Sequence, residues 1–314
     1  MWKSPEPRFD VASAICQGGR DYQEDAIITD FPAGTDIGVV VLADGMGGHA
    51  AGDVASKLVV TEVFSDLKFE SANFSEFETD IPKYLNAAAA NANQSVRDYV
   101  NENPTTRGMG ATLVALIMVE NRMYWVSIGD SPLFHMRKGN LEQINEDHSM
   151  APQIDFMVNS GLIDAQAGRD HPDRNCLTSV IMGEKVAKSD CPNTPFQLEI
   201  GDIVVVSSDG LQYLEDAQIE KILRKYRRKK SAEIAEHLLA ALRDLADVDQ
   251  DNISFAVVKL NHNKPIIQPV RQKPVQLVND ITAGATRVAA SEFENSSVEQ
   301  DPQEISAKAA QGGK

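Results

Sequence analysis

Apolar positions along the chain alternate between two periods. Val39 to Ala43, Thr112 to Val119, Met123 to Ile128, Ile203 to Val206 and Ile253 to Leu260 are continuous or alternating runs rich in β-branched residues. They predict strands with at least one buried face. Helical spacing appears instead at Ile81, Leu85, Ala89, Ala92, Val96 and Val100, inside an Ala-rich stretch of high helix propensity. Further helices are predicted over Ala50 to Asp66, Asp216 to Lys225 and Ser231 to Leu245, and a short hairpin turn between Val119 and Met123. There is no internal repeat. Strands joined by hairpins, with long helices between groups of them, favour α+β layers over a doubly wound parallel sheet.

The texture changes at His262. Pro265, Pro269, Pro274 and Pro302 interrupt the apolar runs, and Phe293 is the only aromatic residue from there on. The expected division is therefore a folded domain over residues 1–261 and a flexible tail over 262–314, in which short segments such as Val275 to Ile281 could dock on a partner. The chain of 314 residues carries 30 Lys+Arg against 46 Asp+Glu, a net charge of −16. The tail's basic and acidic residues cancel, so this charge belongs to residues 1–261. Such a field repels nucleic acid and anionic lipid. No apolar stretch is long enough for a membrane span, and Met1 to Asp10 has neither the cationic start nor the apolar core of a secretory signal. Cys16, Cys176 and Cys191 are odd in number and lack metal-ligand spacing, which suits a reducing cytoplasm.

Candidate chemistry sits at the strand ends. Asp44, Asp130 and Asp209 each follow a predicted strand, and Asp251 precedes one. If that last strand runs antiparallel to the others, all four carboxylates arrive at one end of the sheets. Taken singly, an Asp-Gly or Asp-Asn pair after a strand is a turn. Together, like charges so close would raise one another's pKa, and bound cations are the natural remedy. Carboxylates and the carbonyls of Gly-rich turns are hard oxygen ligands, suited to Mg²⁺ or Mn²⁺ rather than zinc. Gly45, Gly47 and Gly48 permit a tight turn that would aim a carbonyl beside Asp44 into the same place.

These residues lie in motifs that resemble, in order, those of the metal-dependent (PPM) type 2C serine/threonine protein phosphatases in their bacterial form. The motifs are RDYQED (residues 20–25), ADGMGGHAAGDVAS (43–56), GMGATL (108–113), IGDS (128–131), EDHS (146–149), HPDRNCLT (171–178), SSDGL (207–211) and DNIS (251–254). The resemblance implies an αββα sandwich, two antiparallel sheets flanked by helices, with a dinuclear metal centre at one end of the sheets. It implies that Asp44 bridges two Mg²⁺ or Mn²⁺ ions, that the Gly45 carbonyl completes one, and that Asp209 and Asp251 hold the other. Glu24 and Asp25 would sit at the periphery, on water bound to the metals, and Asp130 with Asp209 would hold a third, weaker ion. Metal-activated water would attack phosphorus in line, without a phosphoenzyme. Arg20, four positions before Glu24, would bind the substrate phosphate.

The sequence also departs from the family. Met46 stands where eukaryotic relatives carry a His proposed as general acid, so that role is unassigned. Pro132 replaces the usual Arg after GDS, and Ser179 to Gly183 replaces TRALG. His49, His148 and His171 read as turn or cap residues, and the stretch from Met150 to Met182 corresponds to a flap beside the cleft. Residues 224–230 (Arg-Lys-Tyr-Arg-Arg-Lys-Lys) read either as a helix end complementing its dipole or as a docking patch for an acidic partner. The expected substrates are phosphoserine and phosphothreonine proteins, a Ser/Thr kinase among them. The alternatives are a catalytically silent binding module and a phosphatase of small phosphate esters.

Overall fold

The computed structural model describes residues 7–47 and 50–261. Met1 to Glu6, Gly48, His49 and the stretch from 262 on, with the expected tail and its Val275 to Ile281 segment, lie outside the described residues. In chain order the first half comprises β1 (Phe9–Cys16), β2 (Asp25–Asp30), β3 (Ile37–Met46), α1 (Ala50–Glu70), α2 (Phe74–Phe77), α3 (Ile81–Glu102), β4 (Gly110–Ala111) and β5 (Leu113–Val119). Then follow β6 (Arg122–Ile128), β7 (Leu133–Arg137), β8 (Asn140–Gln143), α4 (Ala151–Asn159), α5 (Ala165–Arg169), β9 (Phe196–Gln197), β10 (Ile203–Ser207), α6 (Asp216–Tyr226), α7 (Ser231–Asp244) and β11 (Ile253–Leu260).

Two antiparallel sheets result, one ordered β1-β11-β10-β7-β8 and the other β2-β3-β5-β6-β9, with β4 paired to β3. The strands read as nearly continuous apolar runs because both of their faces are buried. In β3, Val40 and Leu42 face the layer between the sheets, while Val39, Val41 and Ala43 face α1 and α3. In β11, Ala256 and Val258 face that same inner layer, and Phe255 and Val257 lie under α6 and α7. Three apolar layers therefore separate four layers of secondary structure, the αββα sandwich expected from the sequence.

The apolar spacing from Ile81 to Val96 is the buried stripe of α3. That helix begins where Asp80 accepts from the Lys83 backbone N–H and Pro82 occupies its first turn. The hairpin predicted between Val119 and Met123 is the two-residue turn Glu120-Asn121, with Glu120 at φ 57°. Sequence patterning did not single out β1, β2, β7 or β8, because these strands mix exposed or charged residues into the alternation. Among the described residues no helix is long and apolar enough to cross a membrane.

Candidate metal centre

The alternation that builds the inner layer also builds the site. One step beyond the apolar pairs Val40/Leu42, Val114/Leu116, Val204/Val206 and Ala256/Val258, residues of the same parity are Asp44, Thr112, Ser208 and Ser254. Asp25 lies directly opposite Asp44 in the β2–β3 register. The end of the inter-sheet layer is therefore polar on every side. Two aspartates facing each other across a strand pair repel, so nothing in sheet pairing itself favours this placement.

Neighbouring motifs hold these groups in place. The Asp44 backbone N–H donates to Thr112 Oγ1 at 3.0 Å, and Thr112 Oγ1 shares a 2.7 Å hydrogen bond with Ser131 Oγ. The GMGATL and IGDS segments thus meet behind Asp44. Ser208 Oγ donates to Asp25 Oδ2 at 2.8 Å. Asn252 Oδ1 accepts from the Glu24 backbone N–H at 2.7 Å, and its amide donates to the carbonyls of Gln17 and Tyr22 at 2.8 and 2.9 Å. This clamp fixes the loop that carries Arg20, whose Nη2 donates to Asp251 Oδ2 at 2.5 Å. The same loop passes so close to the β11 entry that a Cβ at Gly18, φ +64°, would stand 2.1 Å from the Asp251 carbonyl oxygen. At Gly45 a Cβ would meet the Gly52 carbonyl oxygen at 2.1 Å and that of Glu24 at 2.5 Å, which explains glycine after Asp44.

The electrostatics follow from burial and crowding. Burial raises the Asp44 carboxyl well above its usual range, and Asp25, Asp209, Asp130 and Asp251 push it further. Asp25 is raised to about 7 by burial, with Asp209 and Asp251 adding to the shift and the hydrogen bond from Ser208 opposing it. Asp130 is raised to about 7 by burial, then by Asp209 and Asp147. Burial and Asp251 raise Asp209, and burial raises Glu24 against the pull of Arg20.

Asp130, Asp209 and Asp251 line a polar cleft of about 560 Å³ with Arg20, Asp147 and Tyr213. Asp44 and Asp25 lie against them as buried neighbours, and Glu24 and Gly45 flank them through a backbone hydrogen bond of 3.1 Å. Asp25 is buried, at 3% exposure. Glu24 Oε1, Asp25 Oδ1 and Asp209 Oδ1 are buried without a hydrogen-bond partner. Buried anionic oxygens left without donors, on residues whose chemistry is hard oxygen, fit divalent cations. Among the described residues no three His, Cys, Asp or Glu side chains already surround a single point closely enough to hold an ion. Arg20 and Ser208 hold Asp251 and Asp25 instead.

Other expectations resolve locally. His148 Nδ1 accepts from the Gly129 backbone N–H at 3.3 Å and His171 Nδ1 from that of Asp173 at 3.2 Å, so both serve turns. Met46 ends β3 at 38% exposure with no proton to give. The flap region contains α4 and α5, and its Arg174 pairs with Asp155 at the cleft. The motifs contain Thr112, Asp147 and Asn252 without assigning them a role, and Tyr213 lies outside the motifs. Only the Asn in DNIS carried a usable signal, as a turn-forming residue at a strand entry.

An αββα sandwich with a carboxylate cluster at one end of its sheets defines a class of metal-ion hydrolases, and comparison with known proteins narrows it. The sequence profile of the protein phosphatase 2C family matches residues 19–245, so the chain belongs to that family. It is 30% identical over 224 residues to the serine/threonine phosphatase stp of Listeria innocua, covering 71% of this chain and 84% of that one. It is 32% identical over 221 residues to the serine/threonine protein phosphatase PstP of Mycobacterium tuberculosis, covering 70% of this chain and 40% of that one. Among solved structures, the S. agalactiae serine/threonine phosphatase superimposes with a TM-score of 0.68 at 27% identity, covering 81% of this chain and all of that one. The catalytic domain of PstP, in complex with two manganese ions, superimposes with a TM-score of 0.63 at 29% identity, covering 81% and 99%.

Proposed function

We propose that this chain is a Mg²⁺- or Mn²⁺-dependent phosphatase of phosphoserine and phosphothreonine proteins. The observation that carries the reading is the cluster of Asp25, Asp44, Asp130 and Asp209 beside Asp251, in which burial and the neighbouring carboxylates disfavour the charged forms of the first four. In this reading Asp44, the Gly45 carbonyl, Asp209 and Asp251 hold two ions, Glu24 and Asp25 orient water around them, and Asp130 with Asp209 holds a weaker third. Such ions supply positive charge that offsets the phosphoryl oxygens and makes water acidic enough to act as a nucleophile.

The chain's own residues do the rest. Arg20 reaches the cleft on a loop fixed by Asn252 and can exchange its Asp251 partner for a phosphate dianion, which accepts a guanidinium fork more strongly. Tyr213 stands at the cleft wall, its hydroxyl donating to the Asp249 carbonyl at 2.9 Å.

Substrate proteins, including a Ser/Thr kinase, and a reducing cytoplasmic setting belong to the same proposal. The setting is supported by three free cysteines. The catalytic domain over 1–261 and an accessory tail beyond it complete the reading. Phosphate release from a phosphothreonine peptide tests it. Activity should require Mn²⁺ or Mg²⁺, disappear with EDTA, and be lost in Asp44→Asn and Asp209→Asn proteins that keep their circular dichroism. Full turnover in metal-free buffer would refute it, and preference for a small phosphoester over the peptide would favour the alternative substrate class.

A further inference from the structure

The geometry points to a docking surface for an acidic polypeptide segment with an apolar anchor, along α6 and α7. Arg224, Lys225, Arg227, Arg228, Lys229 and Lys230 are all exposed at the C-terminal end of α6 and the entry to α7. Some are committed: Arg224 pairs with Glu220 at 3.7 Å and Lys229 with Glu233 at 3.1 Å. Lys225 Nζ lies 4.8 Å from the Tyr226 ring centroid. Among the described residues Arg227, Arg228 and Lys230 have no carboxylate partner.

Helix electrostatics explains only part of this run. Arg224 and Lys225 lie in the last turn of α6, where cations complement the dipole. Lys230 is the N-cap of α7, with Lys229 just before it, and there a cation opposes the dipole. The start of α7 is capped from elsewhere, by Asp10 Oδ2 accepting from the Ser231 backbone N–H at 2.9 Å. Positive charge is thus gathered against its own repulsion and against a helix N-terminus, on a chain whose net charge is −16.

The surface around the run is concave. A groove of about 430 Å³ between α6 and α7 is lined by Leu214, Ile222, Tyr226, Ala241 and Leu245, with Lys221 and Lys225 on its rim beside the single carboxylate Asp244. Arg224, Lys225, Arg227 and Arg228 line the adjoining hollow, and Arg227 and Arg228 also border a third, which Lys138, Lys259 and the carboxylates Glu199 and Asp202 line as well. Shared lining residues make these one continuous track. Its basic end lies beside Leu260, the last residue of β11, about 25 Å of strand from Ile253 at the metal-centre end, while the apolar groove reaches back to Leu214, next to Tyr213 of the cleft.

Charge and shape together select the occupant. Carboxylates match the arginines and lysines, and one aromatic or aliphatic side chain matches the groove. A nucleic acid or an anionic lipid surface would have to approach a body of strong net negative charge over a much larger area. This inference does not depend on the catalytic reading, because its test is binding.

Fluorescence anisotropy of a short fluorescein-labelled polyglutamate peptide carrying one central phenylalanine, titrated with the full chain, measures it. Saturable binding is expected, weakened at least about tenfold by Arg227→Glu/Arg228→Glu and by Lys225→Glu, and weakened when the phenylalanine is replaced by glutamate. Phosphopeptide turnover and the thermal midpoint of these variants should stay as in the parent, which shows that the fold is intact. Binding that ignores the substitutions, or no binding at all, would overturn the inference. So would stronger competition by duplex DNA or phosphatidylserine vesicles than by the unlabelled peptide. A dimer that Arg227→Glu/Arg228→Glu dissolves would assign the surface to a second copy and overturn it as well.

Discussion

Replacing Asp130 by Asn isolates the cost of holding a carboxyl in this cleft. Burial, with Asp209 and Asp147 nearby, raises that carboxyl from 3.8 to about 7. In the folded, metal-free protein it therefore keeps its proton up to about neutrality, while in the unfolded chain it ionises near its ordinary value. Unfolding then releases a proton between those two pH values, so stability contributed by this position falls as pH rises through that window and levels off above it. The shift of about 3 units corresponds to an upper limit of about 4 kcal/mol above neutral pH. Asn has the same shape and does not titrate. In EDTA, Asp130→Asn should match the parent at about pH 4 and exceed it by up to about 4 kcal/mol at about pH 8. Urea unfolding, followed by the fluorescence of Trp125 between the sheets, reads the difference. An advantage that does not change with pH, or a variant less stable than the parent at pH 8, would refute the reasoning.

At the opposite end of the sandwich the sign reverses. Burial works against the Asp202 charge, but hydrogen bonds from His135, Arg137 and the Glu199 backbone outweigh it and hold the carboxyl at about 2. Its contribution of about 2 kcal/mol is present above pH 4 and lost as pH falls toward 2. Asp202→Asn should therefore lower the urea midpoint at pH 7 while leaving KM for a phosphopeptide unchanged, and an equal loss at pH 2 would count against it. Arg20→Lys should raise KM about tenfold or more with a smaller change in kcat, since an ammonium cannot make the bidentate contact; an unchanged KM would remove Arg20 from phosphate binding. Gly45→Ala should cost more than about 2 kcal/mol, because its Cβ would fall 2.1 Å from the backbone oxygen of Gly52, and a normal melting curve would contradict that geometry.

How much was legible in the sequence depended on whether both faces of an element are buried. β5, β6, β10 and β11 showed as apolar runs because each is covered on two sides, and β11 was delimited to the residue, Ile253–Leu260. Edge strand β8 alternates exposed and half-buried residues and left no such trace. Asp44 was read as following its strand, whereas β3 continues through Asp44 to Met46, because a strand-interior carboxylate contradicts the apolar pattern that marks a strand. The motifs located the cluster, but not the depth of Asp25, since cross-strand register is invisible without the pairing partner. The supporting roles of Thr112 and Asn252 were equally hidden, because each depends on a contact across more than 60 residues of chain.

The arrangement at the sheet end follows from one rule applied without a break. Each strand offers the inner layer every second residue, and that parity delivers valine, leucine and methionine through the middle of the sandwich. Where the sheets end, the same parity delivers Asp25, Asp44, Ser208 and Ser254. No change of backbone is needed to turn a core into a site, only a change of side chain, and the rigidity of the core passes directly to the carboxylates. The site is accordingly destabilising for the metal-free fold. Asp→Asn changes at Asp44 and Asp130 should therefore raise stability in EDTA at neutral pH, while divalent cation should stabilise the parent more than either variant. Melting curves with and without Mn²⁺ decide it: equal stabilisation of the parent and of Asp44→Asn would mean that the cation binds elsewhere.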